Sequence, residues 1–425
     1  MNMQNARRSL RGLVAGLLAL LAGTVADAAT LDSPSLRLSE LLTELRAANP
    51  QIAERRDLLS AATARPIAVS QLQDPTLSLE AWQQSVDFKA YPVMLTARQT
   101  LPWPGRLSAQ RTVAEQEIAT ARDQVLDTQR RTEAEMKQSY VELWLAERSY
   151  EVSQRIHALL ETVVSSADAR YKAGTVTQVD VLKAQTELLT IENEQLDYES
   201  TREQLHIRIN QLLDRPSSSA LAVTGRGFAR VAIPTADTLV KRVLDSNPQV
   251  AIASDAVREA EARLAVARKD NNPELAGWLG YMHNFGGVDT FTVGISTSLP
   301  VFSTRRKNAL ADAAQAELAA RQDALRSASR QTEAALHNAL IQIDAASRHE
   351  RLHVDKLIPL SEVALKSALA GYQNARLDFL AVLDAARMVR VHHLNHFRFL
   401  AEYERRIADL EMLLVEDFAR EGVSL

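Results

Sequence analysis

The chain has 425 residues, a formal net charge of −4 at pH 7 and no cysteine. A mildly acidic chain without clustered Lys and Arg is a poor binder of nucleic acid. Without cysteine there is no disulfide, no thiol nucleophile and no lipid anchor on an N-terminal cysteine, so the fold must rest on its core or on association of copies.

Residues 1–28 read as a cleaved signal peptide. Arg7, Arg8 and Arg11 precede an apolar run from Leu13 to Ala22, and Ala26-Asp27-Ala28 is an A-x-A cleavage site. The apolar run is shorter than the ~20 residues of a spanning helix, and no later stretch is continuously apolar for about 18 residues. Membrane contact by the mature chain would therefore fall to strands.

A first repeat is expected over residues 29–215. Its β-hairpin, about 75–101, shows period two, with Leu77, Leu79 and Ala81 alternating in one arm and Val93, Leu95 and Ala97 in the other. "LPWPGR" from Leu101 is a rigid elbow. From Arg106 to Lys172 there is neither Gly nor Pro, a run of roughly 67 residues, or about 100 Å of helix at ~1.5 Å per residue. "YKAGTVTQ" from Tyr171 breaks the run, and helical spacing resumes to Arg215 through Val181, Leu182, Leu188, Ile191, Leu205, Ile209 and Leu212. The helical hairpin thus covers about 105–215. Gly174 suits a tight tip that needs φ > 0.

Residues 216–234 form a linker, and 235–425 a second repeat. In its β-hairpin, about 273–300, Phe291, Val293, Ile295 and Leu299 share one face, with Thr292, Gly294, Ser296 and Ser298 on the other. Its helical hairpin, about 303–418, is read as continuous from Arg305 to Ala370, broken at "YQNARLD" from Tyr372, and resumed from Phe379, where Leu394, Phe397, Ala401, Ile407, Leu410 and Leu414 make the stripe. Ala375 stands where the first tip has glycine, so the second tip should bend differently.

The two halves share punctuation. Leu101-Pro102 and Leu299-Pro300, Asn49-Pro50 and Asn247-Pro248, and Asp74-Pro75 and Asn272-Pro273 are each 198 positions apart, which marks an internal duplication. Four strands cannot close a barrel, and an open edge in lipid strands backbone polar groups. Several copies must contribute: two would give eight strands, three would give twelve and a lumen.

His392 and His396 share a helical face, and an antiparallel hairpin centred near position 374 puts His353 across from His396, with His349 one turn away. Facing imidazoles can bind Zn²⁺ or Cu²⁺. The other reading is a helical surface that gathered histidines without a ligand. No H-E-x-x-H, G-x-S-x-G or complete dinucleotide fingerprint is present, so no enzyme, catalytic residue or cofactor is expected.

The duplication, "LPWPGR", "YKAGTVTQVDVLKAQ" and "GISTSLPVFSTRR" together resemble the outer membrane efflux protein family, the TolC-like ducts, over essentially the whole mature chain. The resemblance implies a mainly α chain with a small membrane β-barrel portion, assembling as a homotrimeric duct that joins a β-barrel to an α-helical barrel. It places the protein in the outer membrane and its lipid, reaching through the periplasm to a periplasmic adaptor protein and an inner-membrane pump of the RND type. Adaptor contact passes to the tips, Gly174, Thr175 and Val176, and Ala375, Arg376 and Leu377. A narrow gate passes to Asp384, which matches the second acid of the family's tip pattern while Ala381 replaces the first. Arg387 stands beside it, and Asp180 is expected to pair across to Arg376 or Arg387. Alternatively, Asp384 is a solvated residue paired with Arg387 or Lys183. "QTLPWPGR" and "GISTSLPVFSTRR" are most similar to the heavy-metal (CzcC/CusC-like) subgroup, so heavy-metal cations are the expected cargo. A duct for organic compounds or type I secretion, and a periplasmic hairpin adaptor, are the alternatives.

Overall fold

A computed structural model describes residues 36–81, 92–174, 176–225, 227–228, 230–285, 287–298, 304–374 and 376–418. The expected signal peptide and the Leu299-Pro300 elbow lie outside them. In chain order the elements are α1 (Leu38–Ala48), α2 (Pro50–Ser70), β1 (Thr76–Ala81), β2 (Val93–Leu101), α3 (Arg106–Lys172), α4 (Gln178–Leu212), α5 (Ala236–Ser246), α6 (Pro248–Lys269), β3 (Leu275–His283), β4 (Thr290–Thr297), α7 (Thr304–Leu352), a π-turn (His353–Leu357), α8 (Ile358–Gln373) and α9 (Phe379–Leu414).

The unbroken run Arg106–Lys172 is one helix of 67 residues, the strut along which the rest is laid. In the half nearer the sheet its neighbours are α2 and α6, with α7 beyond α6; in the half nearer the tips they are α4 and α9, with α8 beyond α9. The duplicated Asn-Pro explains how the short helices continue the long ones. Asn49 Oδ1 accepts from the backbone N–H of Gln51 and Ile52, capping α2, while Asn49 Nδ2 donates to Leu212 O at the end of α4, 2.9 Å away. Asn247 repeats the device, capping α6 and donating to Leu413 O at the end of α9, 3.0 Å away. One side chain thus splices two helix ends, and Pro at the first helical position has no N–H to leave unsatisfied.

The second repeat departs from the continuous helix expected over Arg305–Ala370. Pro359 has no N–H for the carbonyl four residues back, and its ring crowds that carbonyl. The chain widens into the π-turn His353–Leu357 just before it.

Apolar side chains fill the seams. Val163, Ala167, Val181, Tyr372, Phe379 and Val382 belong to one core near the tips. Trp144 is fully buried and meets Phe228 and Phe397 edge-on, so the linker that carries Phe228 is pinned between the two repeats. The expected stripe on α4 is buried at Val181, Ile191, Leu205, Ile209 and Leu212, but Leu182 is exposed, because it lies on the outer edge of the layer. An ionic knot closes the end of α9: buried Lys137 reaches Glu411 at 2.7 Å and Asp417 at 2.6 Å.

The four strands form one antiparallel sheet in the order β1-β2-β3-β4, so the two hairpins lie side by side and join through β2 and β3. The strands are six, nine, nine and eight residues long. The register puts Leu79, Leu95, Tyr281 and Phe291 in one row and Leu77, Ala97, Leu279 and Val293 in the next, all on one face. That face is bare, with Val293 82% and Ile295 84% exposed.

Candidate functional site

The helical end farthest from the sheet carries the two tips. Gly174 closes the first at φ +73°, its N–H donating to Tyr171 O at 2.9 Å, with open space around it. A side chain in that left-handed conformation would be strained. Val176 is half-buried, and Thr175 lies outside the described residues. In the second tip, Gly371 O accepts from both Arg376 N (2.8 Å) and Leu377 N (3.2 Å), and Asp378 caps α9 through Ala381 N at 3.1 Å. Arg376 and Leu377 are exposed, and Ala375 lies outside the described residues. The tips are tied together: Arg170 Nη2 donates to Tyr372 O at 2.8 Å, and its guanidinium lies 4.2 Å from the centre of the Tyr372 ring.

Asp180 does not reach Arg376 or Arg387. Its Oδ2 accepts from Thr177 N (3.2 Å) and Thr177 Oγ1 (2.8 Å), forming a capping box at the start of α4. A carboxylate at that position satisfies its own helix terminus before it can serve a neighbouring helix.

Asp384 lies on the open face of α9, its side chain 59% exposed, 3.8 Å from Arg387 Nη1. Arg387 has a closer partner across the seam in Glu187 of α4. Arg390, nearly buried, lies 3.7 Å from Glu187 and hydrogen-bonds Glu194. The Arg387 hydrogen bond, opposed by burial and helped by the Arg387 and Arg390 charges, holds the Glu187 carboxyl below the usual carboxylate range. Glu187, Glu194 and Arg390 were not singled out by sequence. Their signal was there, two acids seven apart on α4 and two arginines three apart on α9, but only adjacency of the helices gives it meaning.

The histidines diverge. The His353 ring lies 5.6 Å from His392 rather than opposite His396, and its Nδ1 is 2.9 Å from His349 O. His349 stacks on Phe399, His393 bonds Glu362 at 3.0 Å, and His396 lies 3.5 Å from Glu350. Among the described residues no group of three or more His, Asp or Glu is placed to hold a metal ion. The expected register assumed α-helix from the tip back to His353; the π-turn adds a residue and rotates what precedes it.

An open sheet with a bare apolar face, carried on a helical stalk about 100 Å long, is one protomer's share of a channel that crosses a membrane and spans the space beneath it. The family described as Outer membrane efflux protein matches residues 41–215 and 239–414, and the chain belongs to that family. It is similar to the cobalt-zinc-cadmium resistance protein CzcC of Cupriavidus metallidurans, 21% identical over 322 residues, which are 75% of this chain and 76% of CzcC. Among solved structures, the outer-membrane channel OprN superposes with a TM-score of 0.78 at 20% identity over 89% of each chain. CusC, reported in a study of conformational changes accompanying folding and transmembrane channel formation, superposes with a TM-score of 0.78 at 15% identity, over 89% of this chain and 92% of CusC.

Proposed function

We propose that three copies of this chain form the exit duct of a tripartite efflux pump, passing heavy-metal cations from the periplasm across the outer membrane. The observation that carries the reading is the sheet. Among the described residues β1 and β4 have no further strand beside them, and one whole face exposes Leu, Val, Ile and Phe. In water that face is unfavourable, at about 25 cal/mol per Å² of apolar surface. In lipid it is favourable once the edges are paired, and further copies pair them. Three copies make a twelve-stranded barrel with a lumen.

The helical layer has the same incompleteness. Its outer edges expose Leu182, Leu189 and Leu196 on α4, and Leu360 and Val363 on α8. Edges of unlike composition meet head to tail, and such contacts close into a ring. In that ring the tips point away from the membrane, where Gly174, Thr175, Val176, Ala375, Arg376 and Leu377 would meet a periplasmic adaptor beneath which an inner-membrane pump of the RND type sits. Three exposed Asp384 side chains around the narrow end would favour cations. The resistance named for the CzcC relative supports metal as the cargo.

Growth of a deletion strain across Cu, Ag, Zn, Co and Cd salts and a panel of dyes and antibiotics tests the cargo. Sensitivity to one or two metals is expected; sensitivity to organic compounds alone overturns the metal reading and leaves the duct. Asp384→Ala should lower cation selectivity in planar bilayers severalfold without changing expression, and unchanged selectivity removes Asp384 from the gate.

A further inference from the structure

The polar face of the sheet carries one row that its duct role does not require. Cross-strand partners run Glu80 to Met94, Met94 to Met282, and Met282 to Thr290, so one carboxylate, two thioethers and a hydroxyl follow one another across β1 to β4. Residues directly opposite have Cβ atoms about 4.5–5.5 Å apart, so both sulfurs can flank one ion. Elsewhere this face carries small residues, Thr96, Thr292, Gly294 and Ser296, together with Arg98 and Trp278 in the row nearer the helices. Gly280 lies diagonal to Met94; a Cβ there would stand 2.7 Å from Met94 Cε and 2.6 Å from Thr292 Oγ1, so the missing side chain is what makes room for the Met94 thioether. The row is at the end of the sheet away from the helices, beside the turn that begins at Asn284.

The other methionines of the described chain sharpen the contrast. Met136 is fully buried in a core, Met412 is partly buried at the end of α9, and Met388 is exposed on α9 without a second thioether beside it in sequence. Among the described residues, only positions 94 and 282 place two methionines opposite one another. Flexible thioethers commonly fill gaps in cores, but this pair stands on the face that turns inward once the apolar face meets lipid.

We propose that the Met94–Met282 pair is a weak site for a soft monovalent cation, Ag(I) or Cu(I), at the outer mouth; the inward direction of the face rests on the duct reading above. Thioethers are soft neutral donors that favour Cu(I) over harder divalent ions. A conduit needs sites strong enough to receive an ion and weak enough to release it. Two thioethers, each half-buried, meet both conditions, and three copies repeat the site around the mouth.

The test is a titration of the full chain in detergent, labelled at the methionine methyl carbons, with silver nitrate in chloride-free buffer and then with zinc. The Met94 and Met282 signals should move together with Ag(I) and stay still with Zn(II), while Met136 does not respond to either. Met282→Leu, which keeps the volume, should raise the Ag(I) needed to shift Met94 by at least about tenfold, the loss that even a supporting residue of a metal site typically causes. Signals that stay still at millimolar Ag(I), that respond equally to Zn(II), or that move no further than the solitary Met388 overturn the site. The titration reads the purified protein, so a silent result beside a metal-sensitive deletion strain removes the site and leaves the duct.

Discussion

The two repeats share a plan and differ in stiffness. In the first, the helix leaving the sheet runs 67 residues without interruption and turns at a glycine with φ +73°. In the second, the corresponding helix stops at Leu352, passes through a π-turn and restarts before Pro359, and its tip folds around the Gly371 carbonyl. An unbroken ladder of i→i−4 bonds resists bending, while a π-turn beside a proline is a place where a helix changes direction. A duct that opens at its narrow end needs one part to hold and another to give. In the duct proposed above, the unbroken first repeat is expected to hold and the second, which also carries Asp384, to give.

The largest effect should come from the knot by which the first repeat holds the second. Lys137 belongs to the strut, and its partners are Glu411 in the last turn of α9 and Asp417 just beyond it. Lys137→Ala leaves buried Glu411 unpaired, which should cost about 3–5 kcal/mol and lower the thermal midpoint of the detergent-solubilised protein by many degrees. Exposed Lys356→Ala is the control, and an equal response from both would mean that the knot contributes nothing.

Next comes the seam between α4 and α9. Arg390→Ala removes the cation between Glu187 and Glu194 and leaves the nearly buried Glu187 to Arg387 alone, at about 1–3 kcal/mol. Because this seam joins the stiff repeat to the yielding one close to Asp384, single-channel conductance should rise as the midpoint falls. A lower midpoint with unchanged conductance would make the seam structural and place the yielding element elsewhere.

Much of this contrast was legible in the sequence, because punctuation is local. Leu-Pro, Asn-Pro and the Gly-free run from Arg106 to Lys172 report backbone requirements that no partner can alter, and the alternation in "TFTVGISTSL" reports a sheet with two unlike faces. Pro359 was equally visible, and reading through it produced both the continuous helix and the misplaced opposition of His353 and His396. Pairings were less accessible. Asp180 turned to its own Thr177, and Glu187 found Arg387 across a seam, because a charged side chain takes whichever partner the packing brings first. The exposed Leu182 followed the same limit: its apolar character was plain, but only the layer order shows that its cover must come from outside the chain.

A smaller effect should follow acidification of the second repeat. Burial, with the charges of His353 and His393, holds His392 below its ordinary value. Burial does the same for His396, aided by His393, His353 and Arg230 and opposed by Glu350. These groups face one another from α9, the end of α7, the π-turn and the linker, with His349 and Glu362 at the margins. The folded chain therefore takes up protons there less readily than the unfolded chain. Stability is full above about pH 6.5, the ordinary imidazole value, and is lost as pH falls from there through the lowered values. The thermal midpoint should drop between pH 7.5 and pH 5.5, and His392→Gln with His396→Gln should flatten that drop. A wild-type midpoint that does not move over this window would show that the histidine seam carries no proton linkage.

The smallest change in stability should come from the residue that distinguishes the repeats. An interior proline costs a helix ~3 kcal/mol or more, but the chain has already widened around Pro359, so most of that cost is relieved in the native fold. Pro359→Ala lets the π-turn close toward the continuous helix of the first repeat, and it also frees the unfolded chain, which opposes the gain. The net shift should stay within about 1 kcal/mol, too little to judge by midpoint alone. Amide exchange decides the matter. If the π-turn is where the second repeat gives, residues 353–363 should exchange more slowly in Pro359→Ala than in the wild type, with residues 150–165 of the strut unchanged. Conductance should fall as well, because a second repeat as stiff as the first has no place left to bend. Exchange that is the same in both proteins would mean that the packing of α7 against α9, rather than Pro359, imposes the π-turn, and the contrast between the repeats would then be one of packing instead of backbone.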